Sequence, residues 1–299
     1  MKRDIDAQLQ QYKAQRINRG CLLIRCLDQP GIIAATSRFL FQYNANIIES
    51  SQYSTNHERG NFFIRIEFDC PSLPDQKEEM KTRFLSIAEN FSMEWKMTFP
   101  SEVKRMAIFV SKDLHCIREL LFEWQSGDLM TEIVLVISNH EDARELVESF
   151  DIPFVYIPTG LDNREDVESK QLKLLEDYAV ELIVLARYMQ ILTPTFVEAN
   201  PNRIINIHHS FLPAFVGARP YNRAYQRGVK LIGATSHYVT NDLDEGPIIE
   251  QDTMRVDHRD NIEGMKKIGR SIERSVLARS VKWHLEDRII VDGNKTIVF

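Results

Sequence analysis

Residues Lys104–Ser138, KRMAIFVSKDLHCIRELLFEWQSGDLMTEIVLVIS, decide the fold of the larger part of this chain. KRMAIFVS and TEIVLVIS are unbroken apolar runs of strand length, and the residues between them, roughly 114–125, have helical spacing. A strand, a crossover helix and a second strand make a parallel pair. The pattern goes on with short strands at PFVYIP (153–158) and ELIVLA (181–186), and with helices over roughly 140–149 and 164–179. Alternation of this kind predicts an α/β fold with a doubly wound, mostly parallel sheet, whose ligands sit at the carboxyl ends of the strands. LIGATSHYVT (231–240) and PIIEQDTMRV (247–256) are later strands. A long amphipathic helix follows from about Asp260 to Glu286, and RIIVDGNKTIVF (288–299) reads as a hairpin turning at Asp292-Gly293.

Upstream of the polar joint Pro100-Ser101-Glu102 the order differs. CLLIRCL (21–27) is a strand, the turn DQPG (28–31) opens a helix over IIAATSRFLFQYN, and NIIESSQYST and NFFIRIEFD form a hairpin across the polar turn NHERG. KEEMKTRFLSIAENF is helical and SMEWKMTF closes as a strand. This βαββαβ order predicts a small sandwich, with helices on one face of an antiparallel sheet. The expected domains are residues 20–99 and 104–299.

A chain of 299 residues suits two domains better than one core. Its 43% apolar and 27% charged residues are those of an ordered globular protein, and its net charge of −6 argues against nucleic acid as a partner. MKRDIDAQLQQYKAQRINRG lacks the apolar core of a signal peptide, and no later run is long enough to span a bilayer. A cytoplasmic protein without a membrane partner is expected. Cys21, Cys26, Cys70 and Cys116 form no CxxC pair and no metal-ligand spacing, so reduced, buried thiols are expected.

RIINIHHSFLPAF (203–215) ends a strand with Asn206 and His208 two apart, on one face. Leu243-Asp244-Glu245-Gly246-Pro247 joins two later strands, and its tight loop can hold Asp244 inward. An amide, an imidazole and a carboxylate supply an oxyanion donor, a proton-transfer group and a base that orients water. Buried histidines and loop aspartates are common, so the triplet alone does not separate catalysis from structure. His209 should face away from His208. His237 either assists Asp244 or is a hydrogen-bonded core residue, and His115, His140, His258 and His284 show no partner in the sequence.

Asn206-x-His208, Ser210-x-Leu212-Pro213, His237-Tyr238-Val239-Thr240 and Leu243-Asp244-x-Gly246-Pro247-Ile248 resemble, at each point, the family of 10-formyltetrahydrofolate formyltransferases and hydrolases. The resemblance covers roughly residues 104–299 and implies that Asn206, His208 and Asp244 are the catalytic trio. It also implies that Met189, Gln190, Ile191 and Leu192 hold the pterin of the substrate, and that Thr240, Asn241 and Asp242 belong to the loop that covers it. On residue type alone, the first four read as core at a strand-to-helix junction, since apolar residues usually pack. No prosthetic group is implied, and the trio offers no closed metal-ligand set.

The Asp28-Gln29-Pro30-Gly31 turn, with a helix starting at Ile32, resembles the ACT family of amino-acid-sensing domains over roughly residues 20–99. Proline and glycine also serve as plain turn residues, and this element order carries many functions. A helix N-terminus does present free N–H groups to a small carboxylate. An effector site is therefore expected at Asp28, Gly31 and Ile32, with Asn46 and Ile47 lining the same mouth and glycine or methionine as the effector. Because ACT-like sheets pair edge to edge, a homo-oligomer is expected by resemblance.

An ACT-like domain ahead of such a catalytic domain resembles, end to end, the formyltetrahydrofolate deformylases. The resemblance implies hydrolysis of 10-formyltetrahydrofolate to tetrahydrofolate and formate, supplying formate and balancing the one-carbon pool for purine synthesis. Relatives that formylate a phosphorylated amine carry a glycine-rich loop after their first strand, whereas here Phe109-Val110-Ser111-Lys112-Asp113-Leu114-His115 has no glycine. The alternatives are a formyltransferase with an amine acceptor and a non-catalytic folate or amino-acid sensor. Transfer to an initiator tRNA would need a basic extension that is absent before Phe299.

Overall fold

The computed structural model describes residues 2–56, 60–160, 163–213 and 220–299. The chain is α/β and forms two units. One comprises Asp6–Val103, Glu286–Ile290 and Ile297–Phe299; the other comprises Lys104–Leu285 and Val291–Thr296, with the N-terminal residues up to Ile5.

The N-terminal unit contains β1 (Arg19–Leu27), α2 (Ile32–Gln42), β2 (Asn46–Ser54), β3 (Asn61–Asp69), α3 (Leu73–Asn90) and β4 (Glu94–Thr98), after a first helix α1 (Lys2–Gln15). Its sheet has the order β2-β3-β1-β4 and its pairs are antiparallel. Of the expected NHERG turn, residues 57–59 lie outside the described residues. Leu22, Ile24 and Cys26 of β1 and Ile64, Ile66 and Phe68 of β3 alternate onto one face, where they form a core with Phe39 and Leu40 of α2 and Met80 and Phe84 of α3. Of the intervening residues, Cys21 and Leu23 of β1 and Phe63 and Arg65 of β3 are buried too. Among them is Arg65, which satisfies its donors on the Asp287 carbonyl (3.1 Å), Glu49 (3.0 Å) and Glu67 (3.3 Å). A buried guanidinium needs such partners. Strand β2 is an exposed edge that shows Ile47, Ile48 and Tyr53 to solvent.

The α1 helix was not foreseen from the sequence. Its legible signal is the i, i+4, i+7 spacing of Ile5, Leu9 and Tyr12, the first two of which are buried.

The second unit begins with β5 (Arg105–Val110), α4 (His115–Ser126), β6 (Glu132–Ser138), α5 (Arg144–Glu148) and β7 (Phe154–Tyr156). It continues with α6 (Arg164–Asp177), β8 (Leu182–Ala186), α7 (Pro194–Glu198), β9 (Ile204–His208) and α8 (Pro220–Arg227). Then come β10 (Leu231–Tyr238), β11 (Ile248–Arg255) and α9 (Ile262–Leu285). The seven-stranded sheet has the order β11-β10-β9-β8-β5-β6-β7, parallel from β9 to β7 with β10 and β11 antiparallel. Every residue of β8 and all but the first of β5 are buried, as strands covered on both faces must be. Because β6 and β7 lie on one side of β5 and β8 and β9 on the other, strand order reverses at β5. The crevice outside the carboxyl ends of β5, β8 and β9 is where such a sheet binds its ligand.

The α5 helix is shorter than the expected 140–149, since Glu141 accepts from the Arg144 amide in a turn that precedes it. The last two strands, β12 (Ile289–Asp292) and β13 (Lys295–Val298), pair as expected, with the turn one residue later, at Gly293-Asn294. No helix among the described residues is long and apolar enough to cross a membrane. All four cysteines are free and buried.

Candidate active site

Strand β9 carries Asn206 and His208, and its antiparallel neighbour β10 sets His237 opposite Asn206. Asp244 comes from the loop between β10 and β11. There Gly246 packs so closely on the Tyr238 carbonyl that a Cβ would overlap it, and Tyr238 donates its amide to the Pro247 carbonyl at 2.9 Å. With Asp244 itself left-handed (φ 59°), the carboxylate turns back onto the strands. Asp244 Oδ2 is 3.2 Å from His208 Nδ1, Asp244 Oδ1 is 3.8 Å from His237 Nε2, and Asn206 Nδ2 is 3.3 Å from the same His237 nitrogen. The three expected residues are brought together, and His237 lies beside them, bonded to Asn206.

Burial raises the Asp244 carboxyl, but the hydrogen bond and charge of His208 outweigh it and hold the group below the usual carboxylate range. It is ionised at neutral pH. Burial lowers His237, which is neutral there. Its Nδ1 lies 2.9 Å from the Tyr238 carbonyl and carries the proton, so Nε2 accepts from Asn206. That polarity fixes which way the Asn206 amide is turned. Among the described residues, His208 Nε2 is buried with no hydrogen-bond partner.

Beyond β8, Tyr188 is buried edge-on against Phe109 and takes a hydrogen bond from Gln171 at 3.0 Å, whereas Met189 and Ile191 are 58% and 54% exposed. These two apolar side chains are therefore not core, and the reading of Met189–Leu192 as packing residues fails for them. The Met189 amide is held by Ser111 Oγ at 3.0 Å. Gln190 is half-buried. Leu192 packs on the cluster of Phe109 and Tyr188, and so does Val239, which leads into Thr240, Asn241 and Asp242. The two expected substrate segments thus border one apolar cluster. Thr240 bonds the Asp242 carbonyl (3.2 Å) and Asn241 bonds Glu198 (2.9 Å), while Asp242 is exposed.

Residues 104–281 match the family model for formyl transferase, and residues 22–83 match that for the ACT domain. Over its full length the chain is 66% identical to formyltetrahydrofolate deformylase of Bacillus subtilis (strain 168), and both chains are covered completely. The chain belongs to the formyltetrahydrofolate deformylase family. It is 50% identical over 281 residues to the deformylase of Mycobacterium bovis, covering 94% of this chain and 90% of that one. A crystal structure of a deformylase from Pseudomonas syringae pv. tomato superposes with a TM-score of 0.90 at 47% identity, covering 94% of each chain.

In this deformylase-family chain the sequence did not reveal a buried polar network beside the trio. Glu273 of α9 meets His115 Nε2 at 2.8 Å, Tyr221 hydroxyl at 3.0 Å and Arg187 Nε at 3.5 Å, and Arg187 also pairs with Asp113 at 3.1 Å. Burial pushes the Glu273 carboxyl up, and His115 and Arg187 bring it below its ordinary value. His115 therefore has a partner, and so does His284, 2.8 Å from the Tyr238 hydroxyl; both partners are remote in sequence. His209 does not simply face away from His208. Strand β9 ends at His208, alternation ends with it, and the two rings lie 5.0 Å apart. Burial, with the charge of Arg187, lowers His209 to about 4.

The residues expected to form the family's effector site are not assembled within one chain. Asp28, at the end of β1, accepts from Ser54 Oγ at 2.7 Å, and Gly31 (φ 100°) caps α2 nearby. Ile32 is 2% exposed and belongs to the core. Asn46 and Ile47 begin β2, whereas Ser54 ends it, so they lie a whole strand away from Asp28. At ~3.3 Å per residue that is more than 20 Å.

Proposed function

We propose that this chain hydrolyses 10-formyltetrahydrofolate to tetrahydrofolate and formate at Asn206, His208 and Asp244. The observation that carries the reading is the state of His208. Asp244 accepts from its Nδ1, which leaves Nε2 buried and unpartnered, the condition of a group whose partner arrives with the substrate. Asn206 and, in its doubly protonated form, His208 through Nε2–H donate to the formyl oxygen as charge develops there, and the ionised Asp244 orients water on the formyl carbon. The water oxygen bonds to that carbon, the bond to N10 breaks, and the proton released is delivered to N10. Met189 and Ile191 supply the apolar slot for the pterin, with the 240–242 loop across it. No metal or prosthetic group takes part.

Transfer to a phosphorylated amine is the competing reading. The glycine-free loop after β5 speaks against it, since Asp113 there is ion-paired to Arg187 and Ser111 is bonded to Asn139 (2.7 Å). Formate release from purified protein and 10-formyltetrahydrofolate, with and without the amine, decides. Release independent of the amine supports hydrolysis, and absolute dependence on it refutes this.

The N-terminal unit serves as an amino-acid sensor in a homo-oligomer. The exposed edge β2 supports this. If two copies pair β2 antiparallel, the Asn46 end of one meets the Ser54 and Asp28 end of the other, which would complete the effector mouth that one chain leaves divided. The protein acts in the cytoplasm, supplying formate for purine synthesis under that control.

A further inference from the structure

One flank of His208 is occupied by His209, and behind His209 stands a set of side chains bonded to one another. His209 lies next to His208, and the Tyr221 ring stands 6.2 Å beyond it. Tyr221 crosses α9 at Gly269, where a Cβ would overlap the phenol, and its hydroxyl reaches Glu273, one helical turn further on. Glu273 is 2% exposed and in turn holds His115 and Arg187. Arg187 leaves β8 in the left-handed region (φ 63°) and ties down Asp113 from the loop after β5.

Burying charges this way adds little stability over apolar packing of equal volume. A left-handed non-glycine residue is a strain that structures retain where function needs it. The same crevice must admit whatever attacks the formyl carbon. Water needs only the room of one small sphere, whereas an amine brings the atoms that carry it.

We propose that Tyr221, seated on Gly269 and fixed by Glu273, closes the flank of His208 from which an acceptor amine would approach, so that water takes the formyl group. This rests on the hydrolase reading above and assigns Tyr221 as a specificity-determining residue. In the reaction it suppresses, the amine nitrogen bonds to the formyl carbon, the bond to N10 breaks, the amine loses a proton and N10 gains one. No oxidant or further reactant is involved.

The test uses the full chain with 10-formyltetrahydrofolate and glycinamide as the probe amine, with formate and N-formylglycinamide quantified separately. Wild type should release formate alone. Tyr221→Ala, which removes the ring, and Gly269→Ala, which displaces it, should raise the ratio of formylated amide to formate at least ~10-fold. Tyr221→Phe, which keeps the ring, should stay near wild type. Both products come from the same folded fraction, so the ratio does not respond to a mere loss of stability. Folded Tyr221→Ala and Gly269→Ala proteins that release formate with the wild-type ratio would overturn the proposal and leave the hydrolase reading intact. Wild type that formylates glycinamide as readily as it releases formate would overturn both.

Discussion

Asp244 Oδ2 stands 3.2 Å from His208 Nδ1, joining a left-handed loop residue to the last residue of a buried parallel strand. The contact decides the chemistry of both groups. It keeps the carboxylate ionised and it presents the opposite ring nitrogen of His208 to the site. Asp244→Asn retains the shape and removes the base. A fall of ~10²-fold or more in formate turnover is expected, with the thermal midpoint little changed. Steady-state kinetics alongside thermal melting check this, and near-normal turnover would dismiss Asp244 as the base.

His209 and His237 connect the site to pH. Burial lowers both, His209 to about 4, so below pH ~6.5 the unfolded chain takes up protons that the folded chain refuses. Stability from these groups is fully present above pH ~6.5 and is lost as pH falls toward 4. His209 alone accounts for up to about 3 kcal/mol of that loss. His209→Asn should flatten the dependence of the denaturation midpoint on pH between 6.5 and 4. A slope equal to wild type would remove His209 from the explanation.

Chelation should leave turnover unchanged. Among the described residues, His115, Cys116 and Glu273 are a group close enough to share a metal ion, but Glu273 is bonded to His115 and Tyr221 and both oxygens are used. Formyl hydrolysis can run on hydrogen-bond stabilisation of the oxyanion. Exhaustive dialysis against chelator followed by a formate assay is the measurement; activity restored only by added zinc or iron would contradict it.

Gly31 sits at φ 100°, a conformation that β-branched side chains avoid. Gly31→Val should keep basal formate release and abolish any response to glycine or methionine. Calorimetric titration of wild type with each amino acid, with formate followed in parallel, tests the premise. An absence of binding heat together with a flat rate would leave the sensor role unsupported.

The parallel sheet was legible because its strands are covered on both faces and read as unbroken apolar runs, as in KRMAIFVS and ELIVLA. The N-terminal unit was legible for a different reason, since turns and helix spacing punctuate its strands. Helix α1 was not legible, because a polar sequence with three apolar residues in register is a weak signal. The exposure of Met189 and Ile191 was not readable either, because a run of apolar letters looks the same in a core and in a ligand slot.

What the sequence determined by itself is local. It set the strand that ends at His208, the two-residue spacing that puts Asn206 on the same face, and the Gly246-Pro247 turn behind Asp244. These follow from backbone periodicity and turn chemistry, which act over a few residues. The tertiary structure decided the rest. It set His237 against Asn206 beside Asp244, tied His115 to Glu273 across 158 positions, and seated Tyr221 on Gly269. It also divided Asp28 from Asn46. Hydrogen bonds and close contacts between distant segments depend on how strands are ordered and helices laid across them, and no spacing along the chain encodes that distance.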